Sequence, residues 1–187
     1  MADDDPVATT ANGSGPVDVA LIFATATRLH QAGNLHRAWR LYRAIVGIAP
    51  DHFGAWCGLG AIHGQQGKLD QAILLLNHAA RWAVQSADAQ VRVGVILTAL
   101  KRPEMAVGYY QAALTLKADH ADAHRRLANI LFALDRPQEA IEHYKSLLAI
   151  DPDHCGAHNN IGVSARVILR RSKARLRPRS ESLTRCR

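Results

Sequence analysis

The chain has 187 residues, 48% of them hydrophobic, with three cysteines and a formal charge of +7 at pH 7. The apolar run from Val17 to Ala26 is too short to span a bilayer and has no basic start before it, so the pattern argues against membrane insertion and secretion. Cys57, Cys155 and Cys186 form no CxxC pair, which favours reduced thiols in a cytoplasmic protein.

The charge is concentrated at the carboxyl terminus. From Arg166 onward there are nine Lys and Arg residues against Glu181 alone, so residues 1–165 sum to −1. Basicity therefore belongs to one end of the chain, and it does not by itself indicate a nucleic-acid-binding surface on the rest.

Residues 1–17 show no apolar period. They contain Asp3, Asp4 and Asp5 followed by a mixture of Thr, Gly, Ser and Pro. This composition predicts a disordered amino-terminal segment.

A period of 34 residues follows, in blocks that begin at Val19, Phe53, Ala87 and Ala121. The twentieth residue of every block is alanine: Ala38, Ala72, Ala106 and Ala140. The eighth is always small: Ala26, Gly60, Gly94 and Ala128. Small residues that recur in register let two helices approach closely, so each block predicts a pair of antiparallel helices. We assign the array to residues 18–165, with repeats 19–52, 53–86, 87–120 and 121–154 and a partial repeat 155–168.

The turn between the two helices of a block has one of two sequence patterns. Gly33 and Gly67 suit a left-handed turn residue in the first two blocks. Pro103 and Pro137 stand where the second helix of the third and fourth blocks should begin, and the missing N–H of proline costs nothing at that position.

The period dissolves after Val163. A second helix of the fifth block would have Pro178 in its interior, and proline breaks helices there. We assign residues 169–187 to a basic, disordered tail. Three explanations for the region beyond Arg166 stay open: an arm that binds nucleic acid or another anionic surface, a capping helix from Val163 to about Leu176, or a truncation or frame change.

This pattern resembles the tetratricopeptide repeat. The second block shows it best, with the expected residues at the expected intervals: Trp56, Leu59, Gly60, Gly67, Ala72 and Ala79. The resemblance implies an all-α, right-handed superhelical solenoid of antiparallel helix pairs. It also implies a protein-interaction module that binds a peptide or protein segment in its concave groove.

By the same resemblance, the groove is lined by the second, fifth, sixth and ninth residues of each block. In the later blocks these positions offer hydrogen-bond donors for a carboxylate or a peptide backbone. We predict the following peptide-binding residues: Arg92, Arg125, Arg126, Asn129, Asn159 and Asn160.

Three of these residues also match a subset of the family. Arg125, Asn129 and Asn160 fall where the carboxylate-clamp proteins, which hold chaperone tails, place a basic residue and two asparagines. The match is partial, because the clamp also uses a further helix that this chain does not contain. The alternative is that the arginines are solvated helix positions and that the asparagines satisfy one another between repeats.

A second resemblance concerns the style of the array, seen in Asn159-Asn160-Ile161-Gly162 after Pro152-Asp153-His154. It is similar to the amino-terminal repeats of bacterial proteins like O-GlcNAc transferase, which present substrates to a glycosyltransferase domain. This chain would then be the substrate-recognition part of such an enzyme, without its catalytic domain.

Catalytic and metal sites are not favoured. The pairs His120/His124 and His154/His158 have a spacing that can hold a metal, but no HExxH motif completes either pair. No nucleophile motif, phosphate-binding glycine loop or paired carboxylate appears. We expect no enzyme activity, cofactor or metal, and a protein or peptide partner rather than nucleic acid or membrane. Weak self-association through the edge of an unfinished fifth repeat is a further expectation.

Overall fold

The computed structural model describes residues 18–82 and 84–176. Within those ranges all regular secondary structure is α-helical, and nine helices follow one another: α1 (Val19–Gln31), α2 (Leu35–Ile48), α3 (Phe53–Gln65), α4 (Leu69–Trp82), α5 (Ala87–Ala99), α6 (Pro103–Leu116), α7 (Ala121–Ala133), α8 (Pro137–Ile150) and α9 (Cys155–Leu176). The predicted all-α class, built from helix pairs, is confirmed. Every predicted block begins at the first residue of a helix.

The chain divides into two compact units. The first consists of Met1–Gln85 with Ala99–Lys101 and contains α1 to α4; the second consists of Ser86–Thr98 with Arg102–Arg187 and contains most of α5 and all of α6 to α9. In the first unit α1 packs on α2, α2 on α3 and α3 on α4. In the second, α6 packs on α7, α7 on α8 and α8 on α9.

Small residues lie where the helices of a pair meet. The alanine at the twentieth position of every block has no exposed surface: Ala38, Ala72, Ala106 and Ala140. At Gly60 an added Cβ would lie 3.0 Å from the side chain of Leu76 and 3.3 Å from the carbonyl oxygen of Ala72. Side chains larger than alanine at these positions would push the paired helices apart, so close packing maintains the period.

Larger side chains complete a core in each unit. The first unit buries Leu41, Tyr42, Ile45, Leu59 and Ile62 around its alanines. The second buries a corresponding set: Tyr110, Leu127, Leu131, Tyr144 and Leu147. Since burying one such side chain contributes about 1.5–3 kcal/mol, packing of this kind holds short helices that would be marginal in isolation.

The turns agree with the sequence in part. Gly33 and Gly67 have φ of 79° and 77°, and Pro103 and Pro137 begin α6 and α8, both as predicted. The proline turns also contain a left-handed residue that was not predicted, since Lys101 has φ 59° and Asp135 has φ 65°. All four turns therefore use one left-handed residue, whether or not it is glycine.

Three junctions between successive repeats have a ring N–H bond from the fourth position of the later block. Trp56 Nε1 donates to the carbonyl oxygen of Pro50 at 2.7 Å. His124 Nε2 and His158 Nε2 stand at the same position and lie 2.9 Å and 2.8 Å from the carbonyl oxygens of Ala118 and Pro152. Each bond spans six residues and holds the end of one repeat against the start of the next.

The carboxyl-terminal assignment needs a correction. The tail predicted to begin at residue 169 is helical through residue 176, because α9 continues for 22 residues. Val167 and Ile168 are half-buried, so this stretch has an apolar side that favours a helix. Arg171 also pairs with Asp135 in the turn before α8. α9 includes the residues from Val163 to Leu176 that the capping-helix explanation named.

The predictions of a disordered segment at residues 1–17 and of a tail at residues 177–187 concern residues outside the described ranges. Within the described residues, no helix combines the length and the apolar character needed to cross a membrane.

Candidate functional site

The polar face of α7 begins with a histidine cap. His120 precedes the helix, and its Nδ1 accepts a hydrogen bond from the backbone N–H of Ala123 at 3.3 Å. Its Nε2 lies 3.0 Å from a carboxylate oxygen of Asp88, which fixes the proton on Nε2 and leaves Nδ1 as the acceptor. The cap sets the start of α7, and helical spacing then places Asp122, Arg125, Arg126 and Asn129 on one face.

Arg125 and Arg126 both pair with Asp122. Arg126 Nε donates to Asp122 Oδ2 at 2.6 Å, and Arg125 donates to Oδ1. Partial burial alone would raise the pKa of Asp122, but the hydrogen bonds from Arg126 and Arg125 outweigh it and lower that pKa below its ordinary value. The carboxylate is therefore ionised at neutral pH and already compensates part of the charge of both guanidinium groups.

Tyr144 organises the two asparagines. Its hydroxyl donates to Asn129 Oδ1 at 2.7 Å, and Asn160 Nδ2 donates to the Tyr144 oxygen at 3.1 Å and to Asn129 Oδ1 at 3.4 Å. Burial raises the pKa of Tyr144, against the effect of the Asn160 hydrogen bond, so the phenol stays protonated. The asparagines thus satisfy one another between repeats, as the open alternative supposed.

The network leaves some polar groups available. The Nδ2 group of Asn129, which is exposed, and the Oδ1 atom of Asn160 take no part in these bonds. Both amides are held in place by the buried phenol, which reduces the entropy that a ligand must overcome to use them.

A small cavity lies beside this network. It has a volume of about 220 Å³ and is lined by Asn129, Phe132, Tyr144, Asn160 and Val163. Liquid water occupies about 30 Å³ per molecule, so the cavity can hold a medium-sized apolar side chain. The amide groups at its edge and its apolar walls make it suited to an amphipathic ligand.

Four of the six sequence-predicted residues meet in two pairs. Arg125 and Arg126 meet at Asp122, and Asn129 and Asn160 meet at Tyr144. Arg92 is exposed on α5 and Asn159 is exposed on α9, and neither of them lines the cavity.

Two residues of the site have roles that the sequence analysis did not predict. Asp122 was a groove position by resemblance, but its pairing with both arginines was not predicted. An acid three and four residues before two arginines was the available signal. Tyr144 was not among the predicted site residues. Its recurrence at the twenty-fourth position, with Tyr42 and Tyr110, was the available signal for a shared polar role.

The predicted histidine pairs have structural partners. His52, His120 and His154 each accept a backbone N–H at the start of a helix. His124 and His158 contact carbonyl oxygens, and His124 Nδ1 also lies 3.1 Å from His143 Nδ1. In the part of the chain that the structure describes, no three His, Cys, Asp or Glu residues are placed to hold a metal ion.

Comparison with protein families decides what kind of array this is. Two family models, both described as tetratricopeptide repeat, match residues 29–92 and 85–153. The chain belongs to the tetratricopeptide repeat family. The prediction drawn from the 34-residue period is confirmed.

Several solved tetratricopeptide structures share the fold. MamA has a TM-score of 0.66 and 22% identity, over 83% of this chain and 85% of MamA. YrrB, described as a TPR protein with an unusual peptide-binding site, has a TM-score of 0.63 and 22% identity, over 93% of this chain and 88% of YrrB. TTC0263, a thermophilic TPR protein of Thermus thermophilus, has a TM-score of 0.63 and 20% identity, with 86% of each chain covered.

At these identities the likeness concerns the fold. No curated protein matches the chain. Tetratricopeptide folds are typical of protein-interaction modules, whereas the similarity to the repeats of glycosyltransferases stays a prediction.

Proposed function

We propose that this tetratricopeptide protein is a non-catalytic interaction module whose second unit binds the carboxyl-terminal end of a peptide or protein. The observation that carries the proposal is the pair of amides, Asn129 and Asn160, ordered by a buried Tyr144 beside an apolar cavity of about 220 Å³. Peptide binding by a protein of similar fold, YrrB, supports the general class.

Each part of the site has a partner on such a ligand. The Nδ2 group of Asn129 donates to a backbone carbonyl or a terminal carboxylate, and the Oδ1 atom of Asn160 accepts from a backbone N–H. The last apolar side chain of the peptide enters the cavity against Phe132 and Val163. Arg125 and Arg126 lie about one helical turn from Asn129 and provide positive charge for the terminal carboxylate.

Calorimetric titration with short peptides that end in leucine tests the proposal. A free carboxyl terminus should bind about tenfold more tightly than the same peptide with an amidated terminus, because charge-assisted hydrogen bonds contribute about 1.5–3 kcal/mol. Equal affinities for the two peptides would reject the carboxylate role.

A matched pair of variants locates the site on α9. Asn160→Ala removes a group that lines the cavity and should weaken binding about fivefold or more. Asn159→Ala removes the neighbouring asparagine, which is exposed and outside the cavity, and should leave the affinity unchanged. An equal loss in both variants, or in neither, would place the ligand elsewhere.

Asp122 competes with the ligand for the arginines. In Asp122→Asn the two guanidinium groups lose their internal carboxylate, so the free-carboxyl peptide should bind about fivefold more tightly. The amidated peptide serves as the control and should not respond. If the free-carboxyl peptide also fails to respond, Arg125 and Arg126 do not contact the ligand.

A further inference from the structure

The outer face of α2 in the first unit combines cations with one aromatic ring. His36, Trp39, Arg40 and Arg43 recur at intervals of three, four and seven residues, so they share one side of the helix. The other side supplies core residues such as Ala38, Leu41 and Ile45. Neither Asp nor Glu occurs in α2, so this face carries positive charge without a neighbouring carboxylate on the same helix.

Two adjoining depressions follow this face. One, of about 520 Å³, is lined by the turn from Gly33 to His36 together with Trp39, His63, Gln66 and Lys68. The other, of about 640 Å³, is lined by His36, Trp39, Arg40, Arg43 and Ala44. They share His36 and Trp39, and no Asp or Glu among the described residues lines either of them. We call this continuous surface the basic groove: His36, Trp39, Arg40, Arg43, His63 and Lys68.

The groove is preorganised for an anionic ligand. The Arg43 guanidinium carbon lies 5.1 Å from the centre of the Trp39 ring, and such stacking restricts an otherwise mobile cation. The first turn of α2 forms part of the wall, and helix amino termini carry partial positive charge. His63 Nδ1 is buried and has no hydrogen-bond partner in the described structure, so this wall also contains an unused polar atom.

We propose that the basic groove binds an acidic peptide segment, at a site separate from the one on the second unit. From His36 to Arg43 the helix rises about 10 Å, which matches about three residues of extended peptide. Carboxylate side chains would reach Arg43 and Lys68, while an apolar residue between them packs on Trp39. A single aromatic ring over so short a distance suits a peptide better than a nucleic-acid strand, which uses several stacking side chains along a longer track.

Fluorescence anisotropy tests the proposal on the full chain. The probe is a labelled peptide, Glu-Asp-Leu-Glu-Asp, blocked at both ends so that no terminal carboxylate is present. The control probe is Gln-Asn-Leu-Gln-Asn, and it should bind at least tenfold more weakly. Binding of the acidic probe should weaken as salt rises, because added ions screen contacts between exposed charges.

Matched charge variants locate the contact. Arg43→Gln with Lys68→Gln removes two groove cations and should weaken binding of the acidic probe at least fivefold. Arg28→Gln with Arg81→Gln removes two exposed cations of the same unit that do not line the groove, and should change binding less than twofold. The Asn160→Ala variant should bind the acidic probe normally, which separates this site from the one on the second unit.

Four outcomes would overturn the proposal. Equal losses in the two charge variants would mean nonspecific attraction, and equal binding of the two probes would mean that carboxylates are not recognised. Stronger binding of a single-stranded oligonucleotide, lost in the same variant, would identify a nucleic-acid surface. Tighter probe binding in Asp3→Asn/Asp4→Asn/Asp5→Asn would mean that the groove is a site for the chain's own amino-terminal segment and not for a partner.

Discussion

The first and second units share the same packing of helix pairs but differ in the polar residues around an equivalent tyrosine. In the first unit Tyr42 packs over Gly58, the sixth residue of the following block, and its hydroxyl lies 3.4 Å from Thr27 Oγ1. In the second unit Tyr144 stands at the equivalent position, but it meets Asn129 at 2.7 Å and Asn160 at 3.1 Å. The tyrosine is a packing element in both units, and the residues at the sixth and ninth positions decide whether it also supports a polar site.

The largest expected effect concerns the glycine beneath Tyr42. A Cβ at residue 58 would lie 2.5 Å from the Tyr42 ring, and the buried ring cannot withdraw without disturbing the core. Gly58→Ala should therefore lower the free energy of unfolding by about 1–3 kcal/mol, measured by urea denaturation. Gly47→Ala is the control: its Cβ meets nothing within 4 Å, so improved helix propensity should stabilise the protein by up to about 1 kcal/mol. A stabilising Gly58→Ala would contradict the role of the tyrosine as a fixed packing element.

The hydrogen-bond partner of the tyrosine is tested at the ninth position of the block, where Thr27 and Asn129 are equivalent. Asn129→Ala removes the acceptor of a 2.7 Å bond from a buried phenol and should cost about 1 kcal/mol of stability. Thr27→Ala removes a weaker, 3.4 Å bond from Tyr42 and the bond of the Thr27 hydroxyl to the Phe23 carbonyl oxygen one turn earlier in α1. Because such a bond within a helix adds little to stability, the variant should cost less than about 0.5 kcal/mol. Thermal unfolding of the two variants side by side gives the answer. Similar losses would mean that the tyrosine is equally dependent on its partner in both units.

A smaller effect is expected from pH in the second unit. Burial, and secondarily the nearby His124, lower the pKa of His143 below its ordinary 6.5, although Glu139 and Glu142 act in the opposite direction. The unfolded chain therefore takes up the proton more readily than the folded one. Stability should be complete above about pH 6.5 and should decline as the pH falls toward the lowered pKa.

Melting temperatures at pH 7.5 and 5.5 measure this effect. In His143→Gln the titrating group is absent, so the difference between the two melting temperatures should shrink relative to the unchanged chain. If the difference is as large in the variant, other groups are responsible for the pH dependence.

The fold was accessible from the sequence because it depends on size at fixed intervals. The alanine at the twentieth position of each block and the small residue at the eighth can be read directly from the sequence. Helices begin at Val19, Phe53, Ala87 and Ala121, as the 34-residue period requires. The extension of α9 to Leu176 was harder to predict, because burial of Ser164 and the Arg171 to Asp135 pair are tertiary effects.

Only the positions of some site residues, and not their pairings, could be predicted from the sequence. The resemblance assigned Arg125, Arg126 and Asn129 to the groove-lining positions of α7. It could not show that Asp122 already holds both arginines, or that Tyr144 ties Asn129 to a residue 31 positions away. Pairings of that kind depend on side-chain conformations that a periodic pattern does not specify.

The ring nitrogen that joins successive repeats has a practical consequence for building longer arrays. An indole and an imidazole differ in size, yet both reach the same backbone oxygen six residues earlier. The junction is thus specified by one correctly placed donor rather than by ring shape. A repeat grafted from another array should fit here if it brings tryptophan or histidine at this point, whereas phenylalanine would fill the space and leave the oxygen without its donor.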